Sequence, residues 1–187
     1  MSTDPTSSIP RPDANGLVHG LTIEELKLLS TSCLEARALA YCPYSLFRVG
    51  ASLLIHASSP TTASTTVISG ANIENASYPV GTCAERTALG TAILQGHRLG
   101  SFKAIGVATD MDDFCSPCGM CRQFIREFCG NEVPVFMHNK SGEFRVLTVG
   151  ELLPMSFGPE KLPPREVLKG VVGVEQGGEG GEKIKEA

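Results

Sequence analysis

Residues 115–121 read CSPCGMC, three cysteines spaced three apart across a proline. Such a run can serve an iron–sulfur cluster, a structural zinc, disulfides or a catalytic metal. The chain holds seven cysteines, and an odd count does not close into a fully paired disulfide framework. Ser116 reads as a helix N-cap and Pro117 as the first helical residue. Cys118 and Cys121 then fall three apart in the opening turns, on one face, where the positive helix end favours thiolate. Cys115 precedes the proline in extended chain and is expected to point elsewhere.

A zinc that does chemistry takes three protein ligands and keeps a fourth position open. Thr82-Cys83-Ala84-Glu85-Arg86 offers the third thiol. Thr82 reads as the N-cap of a helix beginning at Cys83, which puts this sulfur at a positive helix end too. Glu85, two residues on, is close enough to face a bound water without ligating the ion. That arrangement suits hydrolytic deamination, in which the metal acidifies water and the carboxylate moves protons. Plainer readings stand beside each residue. Thr82-x-x-Glu85 has the spacing of a capping box, and Cys83 alone would be a small buried apolar group. Phe47 alone would be core, and Asn72 a turn or cap residue. The conjunction of C-x-E with P-C-x-x-C outweighs them. His19, His56, His97 and His138 have no ligand-like spacing and read as surface or structural.

These residues need a scaffold, and 187 residues with 42% hydrophobic content suffice for one domain. Thr22 with Glu25 forms a capping box, and Leu26, Leu29 and Cys33 follow at helical spacing, predicting a helix to about Leu39. Residues 47–56 and 66–73 read as strands of an antiparallel hairpin around the polar loop 58–65. Then come a helix over 83–95, a strand over 102–108, a helix over 119–128 and a strand over 133–137. A short strand at 143–147 and a helical turn at 149–153 close the pattern. The expected fold is α/β, a three-layer α/β/α sandwich with a mixed sheet of four or five strands, and the alternation beyond residue 100 favours parallel pairing there. Residues 1–18 read as a disordered extension, 19–168 as the domain and 169–187 as a flexible Gly- and Glu-rich tail. A net charge of −4 argues against a basic surface for a nucleic-acid polymer. No stretch reaches the ~20 apolar residues of a membrane span. MSTDPTSSIPRPDANG lacks the apolar core of a secretory signal, so the expected setting is the reducing cytoplasm, where clustered cysteines hold metals.

C-x-E followed some 30 residues later by P-C-x-x-C is the signature of zinc deaminases acting on nucleobases. The chain resembles the small, homotetrameric, zinc-dependent cytidine deaminases of the cytidine/deoxycytidylate deaminase superfamily. The likeness rests on YSLFRVGASL (44–53), SGANIENASYPVGTCAERTAL (69–89), SPCGMCRQFIREF (116–128) and LLPMSFGP (152–159). It implies Zn²⁺ on Cys83, Cys118 and Cys121, with Glu85 as the proton shuttle. It implies that Arg86 hydrogen-bonds the ligand sulfurs and so restores Lewis acidity to an ion carrying three thiolates. It further implies that Asn72 and Glu74 bind the ribose, that Phe47 packs on the pyrimidine and that Ala84 gives the base backbone contacts. Ala76, Tyr78 and Gly81 match positions that a neighbouring subunit lends to the sugar end, and Phe157 matches an aromatic that closes the pocket from another subunit. The implied reaction is hydrolysis of cytidine and 2′-deoxycytidine to the uridines, in pyrimidine salvage. Arg48 departs from the pattern, standing where the family usually has proline, and Cys115 has no role in it.

Three other readings remain open at this point. A deaminase of a related cytosine nucleoside, such as a nucleoside antibiotic, shares every zinc residue. A ferredoxin-like run would need its fourth cysteine three residues on before a proline, whereas Cys129 comes eight residues on before glycine. A closed structural site would recruit Cys115 as a fourth thiol beside Cys83, Cys118 and Cys121.

Overall fold

A computed structural model describes residues 12–56 and 65–163. Of the sequence expectations, residues 1–11, nearly all of the loop 58–65 and the whole tail 169–187 lie outside the described residues. The chain divides into two units, Met1–Phe157 and Gly158–Ala187. In the second, the described residues include a 3₁₀ turn at Pro159–Lys161.

In the first unit the order is α1 (Ile23–Ala38), β1 (Val49–Ile55), β2 (Val67–Ala71), a 3₁₀ turn (Tyr78–Val80), α2 (Ala84–Leu94), β3 (Phe102–Thr109), α3 (Gly119–Phe128), β4 (Pro134–His138), β5 (Phe144–Thr148) and the single turn α4 (Val149–Leu152). The capping box of α1 forms as expected, with Thr22 Oγ1 accepting from Glu25 N and Glu25 accepting from Thr22 N. Residues 12–18 do not behave as an unstructured lead-in. Asp13 Oδ1 accepts from the N–H groups of Asn15 and Leu17, and Val18 pairs with Leu21 and is buried.

The five strands form one mixed sheet in the order β2-β1-β3-β4-β5. β1 runs antiparallel to β2 and to β3, and β3 and β4 are parallel across α3. Parallel pairing stops there, because β5 is antiparallel to β4. The connection between them spans only residues 139–143, with Gly142 at φ 87°, and so short a link permits only a hairpin.

Helix α1 covers one face of the sheet, where Leu26 and Leu29 pack with Leu54, Ala104 and Phe136. Helices α2 and α3 cover the other, where Ala84, Ala88, Leu89, Ala92 and Ile125 pack with Ala51, Leu53, Ile105, Val107 and Val135. The alternation of Leu53 and Leu54 between the two cores is the period-2 signature of a strand buried on both faces. Two glycines set how closely the layers approach. A Cβ at Gly50 would lie 2.2 Å from Arg37 N in α1, and one at Gly70 would lie 2.4 Å from Ala88 N in α2. Gly70 therefore lets α2 settle onto β2, which fixes the start of the helix that carries Glu85.

Candidate active site

Both site helices begin later than the capping residues suggest, α2 by one residue and α3 by two. Thr82 does not cap α2, because its N–H and C=O form a two-way bridge with Ile73, at 2.9 Å each way. Cys83 is left as the N-cap in extended conformation, and the helix proper starts at Ala84. The Thr82–Glu85 capping box does not form, so Glu85 is released from that structural role. At α3 the longer displacement has another cause. Ser116 Oγ accepts from Arg122 Nη2 at 2.6 Å instead of capping the helix, and Cys118 takes the N-cap position. Arg122 also donates from Nε to Pro117 O at 2.7 Å and from Nη1 to Leu152 O at 3.0 Å, pinning the approach to Cys118.

Two helix starts thereby bring their cysteines together. The sulfurs of Cys83, Cys118 and Cys121 all lie within 4.8 Å of one another. Four tetrahedral bonds of about 2.3 Å place sulfur pairs about 3.8 Å apart, and Cys83 Sγ and Cys118 Sγ are 3.9 Å apart. The donor set is soft and three in number, so it fits zinc with one position left for a water. Arg86 Nη2 donates to Cys83 Sγ at 3.7 Å, while its buried Nε has no partner among the described residues. Hydrogen bonds from Cys121, Arg86 and Cys118 lower the Cys83 thiol pKa against the opposing effect of burial, which favours the thiolate there. Cys121, hydrogen-bonded to Cys83, is pushed upward. Cys115 lies outside the trio, which removes the closed four-thiol site from consideration among the described residues.

A cleft of about 350 Å³ opens beside the sulfurs, lined by Phe47, Asn72, Glu74, Tyr78, Gly81, Cys83, Glu85 and Cys118. Cys115 faces this same cleft rather than pointing away, and burial together with nearby Glu85 raises its thiol above the usual value. Glu85 is only 4% exposed, and burial raises its carboxyl pKa. Val107 and Thr109 of β3, with Ser45 and Ser116, complete walls that the sequence reading did not anticipate. Ser45 had a local signal, since it precedes Phe47 by two residues and a serine two before an N–H is the spacing of a serine turn.

At the other end of the cleft, Asn72 and Glu74 reach the loop that carries Phe47. Asn72 Oδ1 accepts from Val49 N at 2.8 Å, and Nδ2 donates to Phe47 O at 2.9 Å. Glu74 Oε2 accepts from Tyr44 N at 2.9 Å and Ser45 N at 3.2 Å, and Oε1 accepts from Ser45 Oγ. Counting donor and acceptor capacity, Asn72 keeps one N–H and one lone pair, and Glu74 keeps one acceptor site on Oε1.

The remaining sequence candidates fall elsewhere. Ala84 is fully buried at the first turn of α2, and Ala76 is exposed. Tyr78 and Gly81 line this subunit's own cleft, with the Tyr78 ring 5.9 Å from that of Tyr44. Phe157 is exposed away from it, its carbonyl accepting from Gln123 Nε2 at 2.8 Å. Arg48 turns from the cleft to grip Asp110, with Nε to Oδ2 at 2.8 Å and Nη2 to Oδ1 at 3.2 Å.

This geometry has counterparts in known proteins. A family model described as the cytidine and deoxycytidylate deaminase zinc-binding region matches residues 23–137. A cytidine deaminase of Sporosarcina psychrophila is 45% identical over 128 residues, which is 68% of this chain and 88% of that protein. One from Halalkalibacterium halodurans is 43% identical over 136 residues, covering 73% and 96%. A crystal structure of cytidine deaminase from Burkholderia pseudomallei superposes with a TM-score of 0.64 at 40% identity, over 70% of this chain and 98% of that one. Spacing, fold and relatives agree, and the chain belongs to the zinc-binding cytidine and deoxycytidylate deaminase family.

Proposed function

We propose that this zinc-dependent hydrolase is a homotetrameric, cytoplasmic cytidine deaminase of pyrimidine salvage. It converts cytidine and 2′-deoxycytidine to uridine and 2′-deoxyuridine with loss of ammonia. The observation that carries the reading is a buried carboxylate, Glu85, on the same helix start as one of three mutually close thiols, at the wall of a cleft. Zinc held by Cys83, Cys118 and Cys121 supplies Lewis-acid activation of a water.

The chain's own residues do the rest. Glu85, with its proton affinity raised by burial, would shuttle two protons in turn, carrying the first from the attacking water to N3 of the base and the second from the hydroxyl so placed on C4 to the departing ammonia. Arg86 draws charge from the Cys83 sulfur. Asn72 retains a donor and Glu74 an acceptor, which together match one sugar hydroxyl acting in both roles. Phe47 packs on the pyrimidine, and the buried backbone at Ala84 serves the base. The proposed catalytic domain is 19–168 together with Val18, which is buried in one cluster with Leu21 and Leu26.

Tyr41, Tyr44, Leu46, Ile73, Tyr78 and Val80 expose apolar surface from the segments around the cleft, which supports burial by other copies that bring Ala76, Tyr78, Gly81 and Phe157 to neighbouring sites. Light scattering should give four chains per particle. A fully active monomer would remove the shared-site reading.

The central test follows cytidine loss by absorbance for wild type and Glu85→Gln. The variant keeps its zinc and loses activity by about 10² to 10⁴. Equal rates would defeat the mechanism.

A further inference from the structure

We propose that Ser45 is the positioning residue of the sugar subsite: its hydroxyl aims the Glu74 carboxylate at the ligand. The inference rests on the reading of Glu74 as the ribose acceptor.

The hydroxyl of Ser45 has one proton to give. Its oxygen accepts the Phe47 N–H at 3.1 Å, and this settles which way the group faces. The proton is then directed at Glu74 Oε1, while the Tyr44 and Ser45 N–H groups hold Oε2. Three donors fill three of about four acceptor sites on a carboxylate. The site left over is on Oε1, the oxygen whose rotation Ser45 controls. Without the hydroxyl, Oε1 has no fixed partner and the carboxylate can turn about its remaining bonds.

Two further observations point the same way. Ser45, Phe47 and Glu74 all line the cleft, so the contact lies inside the site. Leu46, between the two residues that the hydroxyl joins, adopts φ 57°, a conformation disfavoured for leucine. The loop keeps it while tied to Glu74 on one side and to Asn72 on the other. The Glu74 carboxyl is held below the usual carboxylate range, chiefly by the Ser45 hydroxyl, which fits an acceptor kept ionised and in place.

The test uses the purified zinc enzyme with cytidine and with 2′,3′-dideoxycytidine, which lacks the hydroxyls Glu74 would meet. Ser45→Ala should raise KM for cytidine about tenfold with kcat within about twofold, and leave KM for the dideoxy substrate within about twofold. Ser45→Thr, which keeps the hydroxyl, should restore the cytidine value. Adding Ser45→Ala to Glu74→Gln should cost nothing further in KM. Equal losses on both substrates, or no loss on cytidine, overturn the proposal even when Glu74→Gln discriminates between them. If Glu74→Gln itself harms both substrates equally, the ribose reading of Glu74 fails first and the proposal falls with it.

Discussion

Glu85 and Arg86 are neighbours in sequence with opposite environments and separate tasks. Glu85 is buried and protonated more readily than an ordinary glutamate, whereas Arg86 reaches back to the Cys83 sulfur. Arg86→Ala should retain zinc while kcat falls about 10- to 100-fold, read by metal analysis beside steady-state rates. Undiminished kcat would show that the sulfur contact is incidental. Cys115 provides the complementary experiment, because it shares the cleft but stands outside the three-sulfur group. Cys115→Ser should keep its zinc and most of its rate, and Cys83→Ser should lose both. Comparable losses in the two variants would revive a four-thiol site.

At the scale of elements, the site depends on where α2 rests on β2. Gly70 allows that contact, since a Cβ there would meet Ala88 N at 2.4 Å and Ala84 O at 2.8 Å. Both obstacles are backbone, so Gly70→Ala must displace the helix that begins at Ala84. Overpacking of about 1–3 kcal/mol predicts a melting midpoint lower by roughly 3–10 °C, with weakened zinc retention. Gly90 sits on the same helix with nothing near its missing Cβ. Gly90→Ala should therefore raise the midpoint by up to roughly 2–4 °C, from about 1 kcal/mol of helix propensity. A thermal melt of the pair decides the matter, and a neutral Gly70→Ala would show that α2 has slack. The sequence made these helices legible through their apolar spacing. Their starting residues were hidden, because Thr82 is claimed by Ile73 and Ser116 by Arg122, competitors beyond the reach of a capping rule.

On the scale of the whole molecule, His138 links the fold to acidity. It is fully buried in β4, with Nδ1 at 3.3 Å from Gly142 O and Nε2 without a partner among the described residues. Burial lowers its pKa from 6.5 to about 4. Between those values the unfolded chain binds a proton that the folded chain refuses, so stability falls as pH drops from about 6.5 towards 4. The full loss is about 3 kcal/mol. His138→Phe removes the titration while keeping a ring beside Phe144, 5.4 Å from the present imidazole. The wild-type midpoint should fall more steeply than that of the variant across this window, and parallel curves would dismiss the histidine as a source of acid sensitivity.

The sequence by itself determined the chemistry. Cys118 with Cys121, and Cys83 with Glu85, are short-range pairs, each kept together at one helix start, and the three thiols name a soft ion with an open position. The mixed sheet and its helical layers also followed from periodicity, apart from the antiparallel β5. Only the tertiary structure decided that Cys83 meets Cys118 across 35 positions, that Cys115 shares the cleft, and that Asn72 and Glu74 are fastened to the loop bearing Phe47. The reason is physical. Local pattern fixes what a segment can form, but its free donors and acceptors are shared out among partners that only the folded chain brings within reach.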